Sequence, residues 1–234
     1  MATPLNGTVI ITGANGSLGS KIAVKIAQRR PLVHLLLTVR DVSSKSIERI
    51  SERIRSFGPR SVEIASLDLA SFHSIHTFTN DTVRRVREGD VPSVQLLINC
   101  AAVSSFRADA PTEDGFDLVY QTNCLGPLLL TINLLEVFRA HRQGNGARVM
   151  NIGSSAMAMG KLDFFENDIM SGQKVDSSLS LRDGLVRYGS SKLLLNAAMY
   201  ALRRNLALVR LFPLYINILS PPFLFFVSSL ADPT

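Results

Sequence analysis

The stretch TVIITGANGSLG, residues 8–19, predicts a strand, a glycine-rich turn and the start of a helix. Its first part, TVIIT (8–12), is a short β-branched run typical of a buried strand, and an amphipathic helix is predicted from about Leu18 to Arg30. Between them lies a turn with a glycine at every third position, which would let backbone amides approach a pyrophosphate at the start of a helix. The context of strand, turn and helix favours a dinucleotide site over a tight turn without a ligand. The residues predicted to form this cradle are Thr12, Gly13, Asn15, Gly16, Ser17, Leu18 and Gly19.

Further strands and helices alternate along the rest of the chain. Apolar runs predict strands at 33–39, 61–67, 94–100 and 147–153. Helical patterns cover 43–57, 71–88, 113–141 with a bend at Gly126-Pro127, and 186–208. Continuous apolar strands that alternate with helices indicate a parallel sheet covered on both faces. Right-handed crossovers then make the fold class α/β, a doubly wound Rossmann-type sheet.

The composition of the chain bears on the kind of molecule that it binds. The 234 residues suit one core, and a net charge of +6, with basic residues spread over many helices, favours an anionic cofactor over nucleic acid. Cys100 and Cys124 lie in apolar segments without metal-ligand spacing, which predicts reduced thiols, a cytoplasmic location and no metal site. The start, MATPLNG, lacks the features of a signal peptide, in keeping with that location.

The end of the second strand, TVRD (38–41), bears on the choice of cofactor. An arginine at this point accommodates a 2′-phosphate, whereas an acidic residue binds a ribose 2′-hydroxyl. Arg40 therefore favours NADP(H), Asp41 leaves NAD(H) open, and a solvated charge at the strand end is the structural alternative for Arg40. Asp68, after the third strand, could accept a hydrogen bond from an adenine amine or cap the helix that starts near Ser71.

The stretch YGSSK (188–192) places Tyr188 and Lys192 on one face of a helix. A phenol has a pKa of about 10, and a nearby ammonium is expected to lower that pKa. Such a tyrosine can exchange a proton with a carbonyl or carbinol oxygen. The serines of NIGSS (151–155) follow a strand and could hydrogen-bond the same oxygen. Asn123, a poor helix former in mid-helix, would hold a water or cap a break.

Together these motifs resemble the short-chain dehydrogenase/reductase family from about Thr8 to Leu208. The matching pieces occur in the family's order and are TGANGSLG, Asp68-Leu69, INCAA (98–102), TNCLGPLLL (122–130), RVMNIGSS (148–155) and YGSSK. TVRD, TEDGFDLVYQTN (112–123) and the long spacer between serine and tyrosine look most like the retinol-dehydrogenase-like branch. The resemblance implies NADP(H) and a lipophilic alcohol or carbonyl substrate, and it allows a homo-oligomer.

The resemblance also implies a role for each matched residue. Tyr188 would be the catalytic acid/base, and Lys192 would lower its pKa and bind the nicotinamide ribose. Ser155, in preference to Ser154, would orient the substrate oxygen, and Asn123 would hold a water that links Lys192 to solvent. The residues implied in cofactor binding are the cradle together with Arg40, Asp68, Leu69, Asn99, Ala101, Tyr188 and Lys192.

The chain departs from the family pattern in three places. Ser17 replaces a glycine, and Asn99-Cys100-Ala101-Ala102 replaces Asn-Asn-Ala-Gly. The third departure is the apolar tail, 209–234, which follows the catalytic domain, 1–208, and lacks the family's Pro-Gly turn. An activity in which the hydride passes between NADP(H) and a carbonyl or alcohol is the main hypothesis. A truncated, catalytically impaired dinucleotide-binding protein is the alternative, and a nucleotide-sugar epimerase or dehydratase is disfavoured by the chain length.

Three hypotheses describe the tail. In the favoured one the terminus is unrelated to the family and leaves a truncated sheet without its last strands. In the second, LYINIL (214–219) pairs as the sixth strand. In the third, residues 211–230 associate with a membrane, since about 20 apolar residues can span a bilayer, although Pro213, Pro221 and Pro222 disfavour a straight helix.

Overall fold

The structure is a computed structural model that describes residues 6–106, 110–139, 147–166, 179–208 and 215–219. Its strands are β1 (Thr8–Thr12), β2 (His34–Val39), β3 (Ser61–Ser66), β4 (Val94–Asn99), β5 (Arg148–Ile152) and β6 (Tyr215–Leu219). Its α-helices are α1 (Ser17–Arg29), α2 (Lys45–Arg55), α3 (Phe72–Glu88), α4 (Leu118–Tyr120), α5 (Gly126–Asn133), α6 (Leu135–Arg139) and α7 (Leu181–Leu208). A π-helical turn, Gln121–Leu125, joins α4 to α5, and a 3-10 helix covers Ser155–Met159.

The strands form one parallel sheet in the order β3-β2-β1-β4-β5-β6. The order reverses between β1 and β4, so the loops that follow these two strands diverge and leave a crevice at the carboxyl edge of the sheet. The prediction of a doubly wound parallel sheet is confirmed. The crevice lies where the sequence places the glycine-rich turn.

The two faces of the sheet bury separate apolar clusters. Alternate residues of a strand point to opposite faces, so Ile10 packs with α3, α5, α6 and α7, whereas Ile11 packs with α1 and α2. Both isoleucines are fully buried, as are most residues of β1, β2 and β4. This two-sided burial explains why these strands read as continuous apolar runs and not as alternating patterns.

The predicted helix over 113–141 is divided in the structure. Gly115 turns the chain with φ +83°, and Asp117 accepts a hydrogen bond from the backbone N–H of Tyr120, so the helix begins only at Leu118. The irregularity precedes the predicted bend, because Gly126-Pro127 lies in the first turn of α5, where a proline needs no backbone donor. A second break falls at Leu134.

The structure matches the second hypothesis for the tail. Tyr215–Leu219 pairs in parallel with β5 along its whole length, so the favoured expectation of a sheet without its sixth strand is wrong. This pairing satisfies the backbone groups that β5 would otherwise expose at the sheet edge. Most of the segment assigned to a membrane, 211–214 and 220–230, lies outside the described residues. Among the residues that are described, no helix has the length and apolar character needed to cross a bilayer.

Candidate active site

The glycine-rich turn after β1 is built by close backbone approaches. Gly13 has φ +64°, and a Cβ atom there would lie 2.8 Å from the Cα atom of Ala101. A Cβ on Gly19 would overlap the carbonyl oxygen of Gly13. Helix α1 begins at Ser17, and its N-cap, Gly16, has no side chain that could bond the first amides. The turn therefore keeps backbone donors available for an anion at the helix start, which fits a pyrophosphate.

A cleft of about 480 Å³ opens over this turn at the carboxyl edge of the sheet. Its size is in the range of small-molecule and cofactor sites. The predicted cofactor residues that line it are Thr12, Gly13, Asn15, Gly16, Ser17, Leu18, Gly19, Arg40, Asp68, Leu69 and Ala101. Lining residues that the sequence did not single out are Thr38, Val39, Ser44, Leu67, Val103 and Thr122. Apart from Ser44, these additional residues lie at the ends of strands or close in sequence to residues that the motifs had singled out.

Asn99 does not line the cleft, contrary to the expectation. Its amide Nδ2 donates a hydrogen bond to Oδ1 of Asn151 at 2.9 Å, and both side chains are buried. The two residues are register partners in β4 and β5. The side chain of Asn99 therefore joins two adjacent strands.

The two charged residues after β2 have different surroundings. Arg40 is exposed at the cleft rim. The carboxylate of Asp41 accepts hydrogen bonds from the Oγ and the backbone N–H of Ser43, at 2.5 and 2.8 Å, and these bonds lower its pKa. Oδ1 of Asp41 is thus engaged within its own turn, whereas Arg40 lines the cleft as an exposed charge.

Asp68 lines the cleft without capping helix α3. Its Oδ1 accepts a hydrogen bond from the backbone N–H of Ala70 at 2.9 Å. The cap of α3 is Ser71, whose Oγ accepts from the backbone N–H of Ser74 at 3.2 Å. Of the two sequence-based alternatives for Asp68, the capping role is therefore wrong.

Lys192 is buried in helix α7. Its Nζ atom donates to the carbonyl oxygen of Ile152 at 3.0 Å and lies 5.8 Å from the centre of the Tyr188 ring. Burial lowers the pKa of Lys192 to about 8, because the charged form loses solvation. The lysine is thereby held between the end of β5 and the ring of Tyr188.

Tyr188 shows the opposite shift. Burial raises its pKa to about 12, the neighbouring Cys100 thiol adds to the rise, and a hydrogen bond with Ser154 partly offsets it. The expectation that Lys192 lowers this pKa is therefore wrong for the net shift, which is a rise. The ammonium lies over the ring and binds a backbone carbonyl, so desolvation of the phenolate dominates.

Ser154 occupies the place that the sequence analysis assigned to Ser155. Ser154 is buried at the start of the 3-10 helix, where its Oγ also accepts from the backbone N–H of Ala156 at 3.2 Å. Ser155 is exposed. The turn into the 3-10 helix distinguishes the two serines. It directs the hydroxyl of Ser154 toward Tyr188 and leaves the side chain of Ser155 exposed to solvent.

The three residues between Tyr188 and Lys192 hold the helix in place. A Cβ atom on Gly189 would overlap the carbonyl oxygen of Ala156, so α7 and the 3-10 helix touch through their backbones. Ser190 accepts from the backbone N–H of Lys161 at 2.9 Å. Ser191 accepts from the Nδ2 atom of Asn123 at 3.1 Å. Each residue of YGSSK therefore has a contact of its own.

Asn123 lies in the π-helical turn and is fully buried. Its amide bonds the backbone of Val103 twice, accepting from the N–H and donating to the carbonyl, each at 2.8 Å. With its third bond, to Ser191, the side chain links the segment after β4 to helix α7. The structure thus places Asn123 beside the lysine-bearing helix, as expected, and occupies its amide with protein partners.

Sequence comparisons show which known proteins this chain is similar to. A profile of the family described as short chain dehydrogenase matches residues 7–164. Retinol dehydrogenase 13 of Mus musculus is 34% identical over 163 residues, covering 70% of this chain and 45% of that protein. Retinol dehydrogenase 12 of Mus musculus is 33% identical over 186 residues, covering 79% and 52%. The chain thus spans about half the length of these curated relatives.

Solved structures share the fold. A metagenomic short-chain oxidoreductase in complex with NADP superimposes with a TM-score of 0.63 at 20% identity, covering 94% of this chain and 83% of the other. A bulky-bulky ketone specific alcohol dehydrogenase from Comamonas testosteroni gives 0.65 at 20% identity, covering 94% and 73%. At this identity the likeness concerns the fold.

Proposed function

This chain belongs to the short-chain dehydrogenase family, in its retinol-dehydrogenase-like branch, and from that membership we propose an oxidoreductase that transfers a hydride between NADP(H) and a carbonyl or alcohol. One observation carries the proposal. The hydroxyl of Tyr188 is hydrogen-bonded to Ser154, with the Lys192 ammonium over the same ring. A proton donor and a second hydroxyl thus stand together near the cleft that holds the glycine-rich turn.

The cleft residues account for binding of the nucleotide. When bound, the cofactor supplies or accepts the hydride, and the protein supplies position and electrostatics. The backbone amides at Ser17 and Leu18, in the first turn of α1, would hold the pyrophosphate, and Arg40 would pair with a 2′-phosphate. Ser43 engages only Oδ1 of Asp41, so the proposal of NADP(H) over NAD(H) rests on Arg40 at the cleft rim. Lys192 would bind the nicotinamide ribose.

The raised pKa of Tyr188 keeps its phenol protonated, although it also makes the phenol a weaker acid than an ordinary tyrosine. At neutral pH its phenol is protonated, so it can donate to a carbonyl oxygen as negative charge develops there. Ser154, rather than Ser155, would hydrogen-bond the same oxygen, because only Ser154 contacts Tyr188. Asn123 would fix the turn beside Lys192, and a water held there would serve as the link to solvent.

Turnover tests the proposal. The purified chain is first titrated with NADPH and NADH by fluorescence, then assayed against a panel of lipophilic aldehydes and ketones. Tyr188→Phe should reduce turnover at least about 100-fold, since general acid catalysis contributes about 10²–10⁴-fold. Tyr200→Phe is the matched control, because Tyr200 lies on the same helix and is 68% exposed.

The outcomes separate the two candidate functions. Turnover that survives Tyr188→Phe refutes the assigned acid. Saturable NADPH binding without turnover of any panel member would favour the catalytically impaired dinucleotide-binding protein. Binding of neither nucleotide would refute both.

A further inference from the structure

The residue before Tyr188 forms a buried ion pair that the sequence analysis missed. The Arg187 guanidinium donates to Oδ2 of Asp117 from Nε, at 2.9 Å, and from Nη2. The two side chains are only 6% and 14% exposed. Arg187 also donates to the carbonyl oxygen of Ser105, in the segment after β4, at 3.4 Å. Arg187 thus connects helix α7 to two other segments directly beside the tyrosine.

The other oxygen of Asp117 has a separate task. Oδ1 accepts a hydrogen bond from the backbone N–H of Tyr120 at 2.8 Å and so caps the start of α4. Helix α4 leads straight into the π-helical turn that contains Asn123. One carboxylate therefore joins the start of that helical segment to the residue before Tyr188.

A second tie connects the same two segments. Asn123 donates to Ser191 at 3.1 Å, one helical turn beyond Arg187. Tyr188 consequently lies between two cross-links, Asp117–Arg187 and Asn123–Ser191. Movement or rotation of α7 at Tyr188 would have to break one of them.

We propose that Arg187 and Asp117 are positioning residues, which hold α7 so that the Tyr188 hydroxyl stays against Ser154. This inference rests on the proposed function of Tyr188. A buried ion pair adds little net stability, because desolvation of both charges offsets their attraction. Nε and Nη2 of the one guanidinium nevertheless both donate to Oδ2, and these charge-assisted hydrogen bonds hold Arg187 in place against Asp117. The pair is thus suited to orienting the helix more than to stabilising the fold.

Steady-state kinetics on two single variants and the double variant test this role. Arg187→Met removes the donors, and Asp117→Asn removes the charge while keeping a good helix cap. Each should lower kcat at least about tenfold, since small misplacements of reacting groups are costly. The Kd for NADPH should stay within about twofold, because neither side chain lines the cleft. The double variant should lose no more than the worse single variant, as expected for residues that act through one contact.

Two controls sharpen the result. Arg182→Met alters an exposed arginine on the same helix and should leave kcat unchanged. Arg187→Lys keeps one charged donor and should recover part of the kcat that Arg187→Met loses. A kcat that stays unchanged in Arg187→Met and Asp117→Asn would overturn the proposal. If both variants lost NADPH binding and also lost the cooperative unfolding transition, the pair would have a role in folding alone, and this too would overturn the proposal.

Hydrogen exchange separates failure of this inference from failure of the proposed function. If the unmodified chain binds NADPH without turnover, the proposed function fails, but the positioning role of Arg187 and Asp117 can still be tested. Arg187→Met should then increase amide exchange in peptides that contain Tyr188–Lys192 and Gln121–Leu125, relative to Arg182→Met. Unchanged amide exchange in both peptides would refute the positioning role of Arg187 and Asp117 independently of any activity.

Discussion

The Nζ atom of Lys192 lies 3.0 Å from the carbonyl oxygen of Ile152, so the last residue of β5 holds the ammonium of helix α7. A carbonyl dipole compensates a buried charge less than a carboxylate does. The pKa of Lys192 consequently falls to about 8 from its ordinary value of 10.5. This arrangement makes the stability of the chain depend on pH in a defined window.

We expect the free energy of unfolding to rise between about pH 8 and 10.5 through Lys192. In this window the unfolded chain still binds the proton that the folded chain has released, whereas below about pH 8 both states are protonated and the burial penalty is complete. The contribution between about pH 7.5 and 9.5 should be roughly 2 kcal/mol. The free energy of unfolding, measured with urea at both pH values, should rise by this amount more in the parent chain than in Lys192→Met. Parallel pH profiles would show that the lysine titrates normally in the folded state.

Ser154→Ala should reduce turnover by about 10²-fold, because it removes the hydroxyl that is bonded to Tyr188 and that we propose to bond the reacting oxygen. Ser155→Ala should stay within about twofold of the parent, since its side chain is exposed. The comparison is made from kcat/KM with one aldehyde under one set of conditions. A larger loss in Ser155→Ala than in Ser154→Ala would reverse the assignment made from the geometry.

Gly189→Ala should lower both stability and turnover. Alanine is the better helix former by up to about 1 kcal/mol, yet the added methyl would overlap the Ala156 carbonyl oxygen and force the two segments apart. Overpacking of this kind costs about 1–3 kcal/mol, so the steric term should win. Thermal unfolding and kcat give the measurement, with the exposed Ala197→Ser on the same helix as control. Increased stability in Gly189→Ala would mean that the segments separate easily.

Arg40→Ala should weaken NADPH binding by about 10–100-fold and change NADH binding by less than about twofold. A charged hydrogen bond contributes about 1.5–3 kcal/mol, and NADH lacks the 2′-phosphate that would receive it. Arg49→Ala, an exposed arginine of α2 outside the cleft, serves as the control. Equal loss for both nucleotides would indicate that Arg40 acts without regard to the phosphate.

Local patterns were sufficient for the first five strands and the glycine-rich turn, but not for the sixth strand, which only the second hypothesis for the tail contained. The β-branched run before Gly13 and the helix after Gly19 are signals that neighbouring residues alone provide, and the structure places both glycines where a Cβ would collide. The split of the helix near Asn123 was only partly visible, because the π-helical turn depends on contacts with Val103, 20 residues away.

Features that depend on tertiary packing were not predictable from the motifs. Ser154 and Ser155 are adjacent and chemically identical, so only the turn after β5 distinguishes them. The side chain of Asn99 turns toward a neighbouring strand that is distant in sequence. The sign of the pKa shift of Tyr188 depends on burial, which outweighs the charge four residues away. The Arg187–Asp117 pair joins residues 70 positions apart.

The backbone contact at Gly189 has a mechanical consequence. At Gly189 the backbone of α7 meets the backbone of the 3-10 helix directly, so at this point no side chain can change rotamer and let the two slide. Any breathing motion that admits a substrate would therefore carry Tyr188 and Ser154 together as one rigid piece. The hinges for such a motion would have to lie beyond that piece, in segments without backbone contact to it.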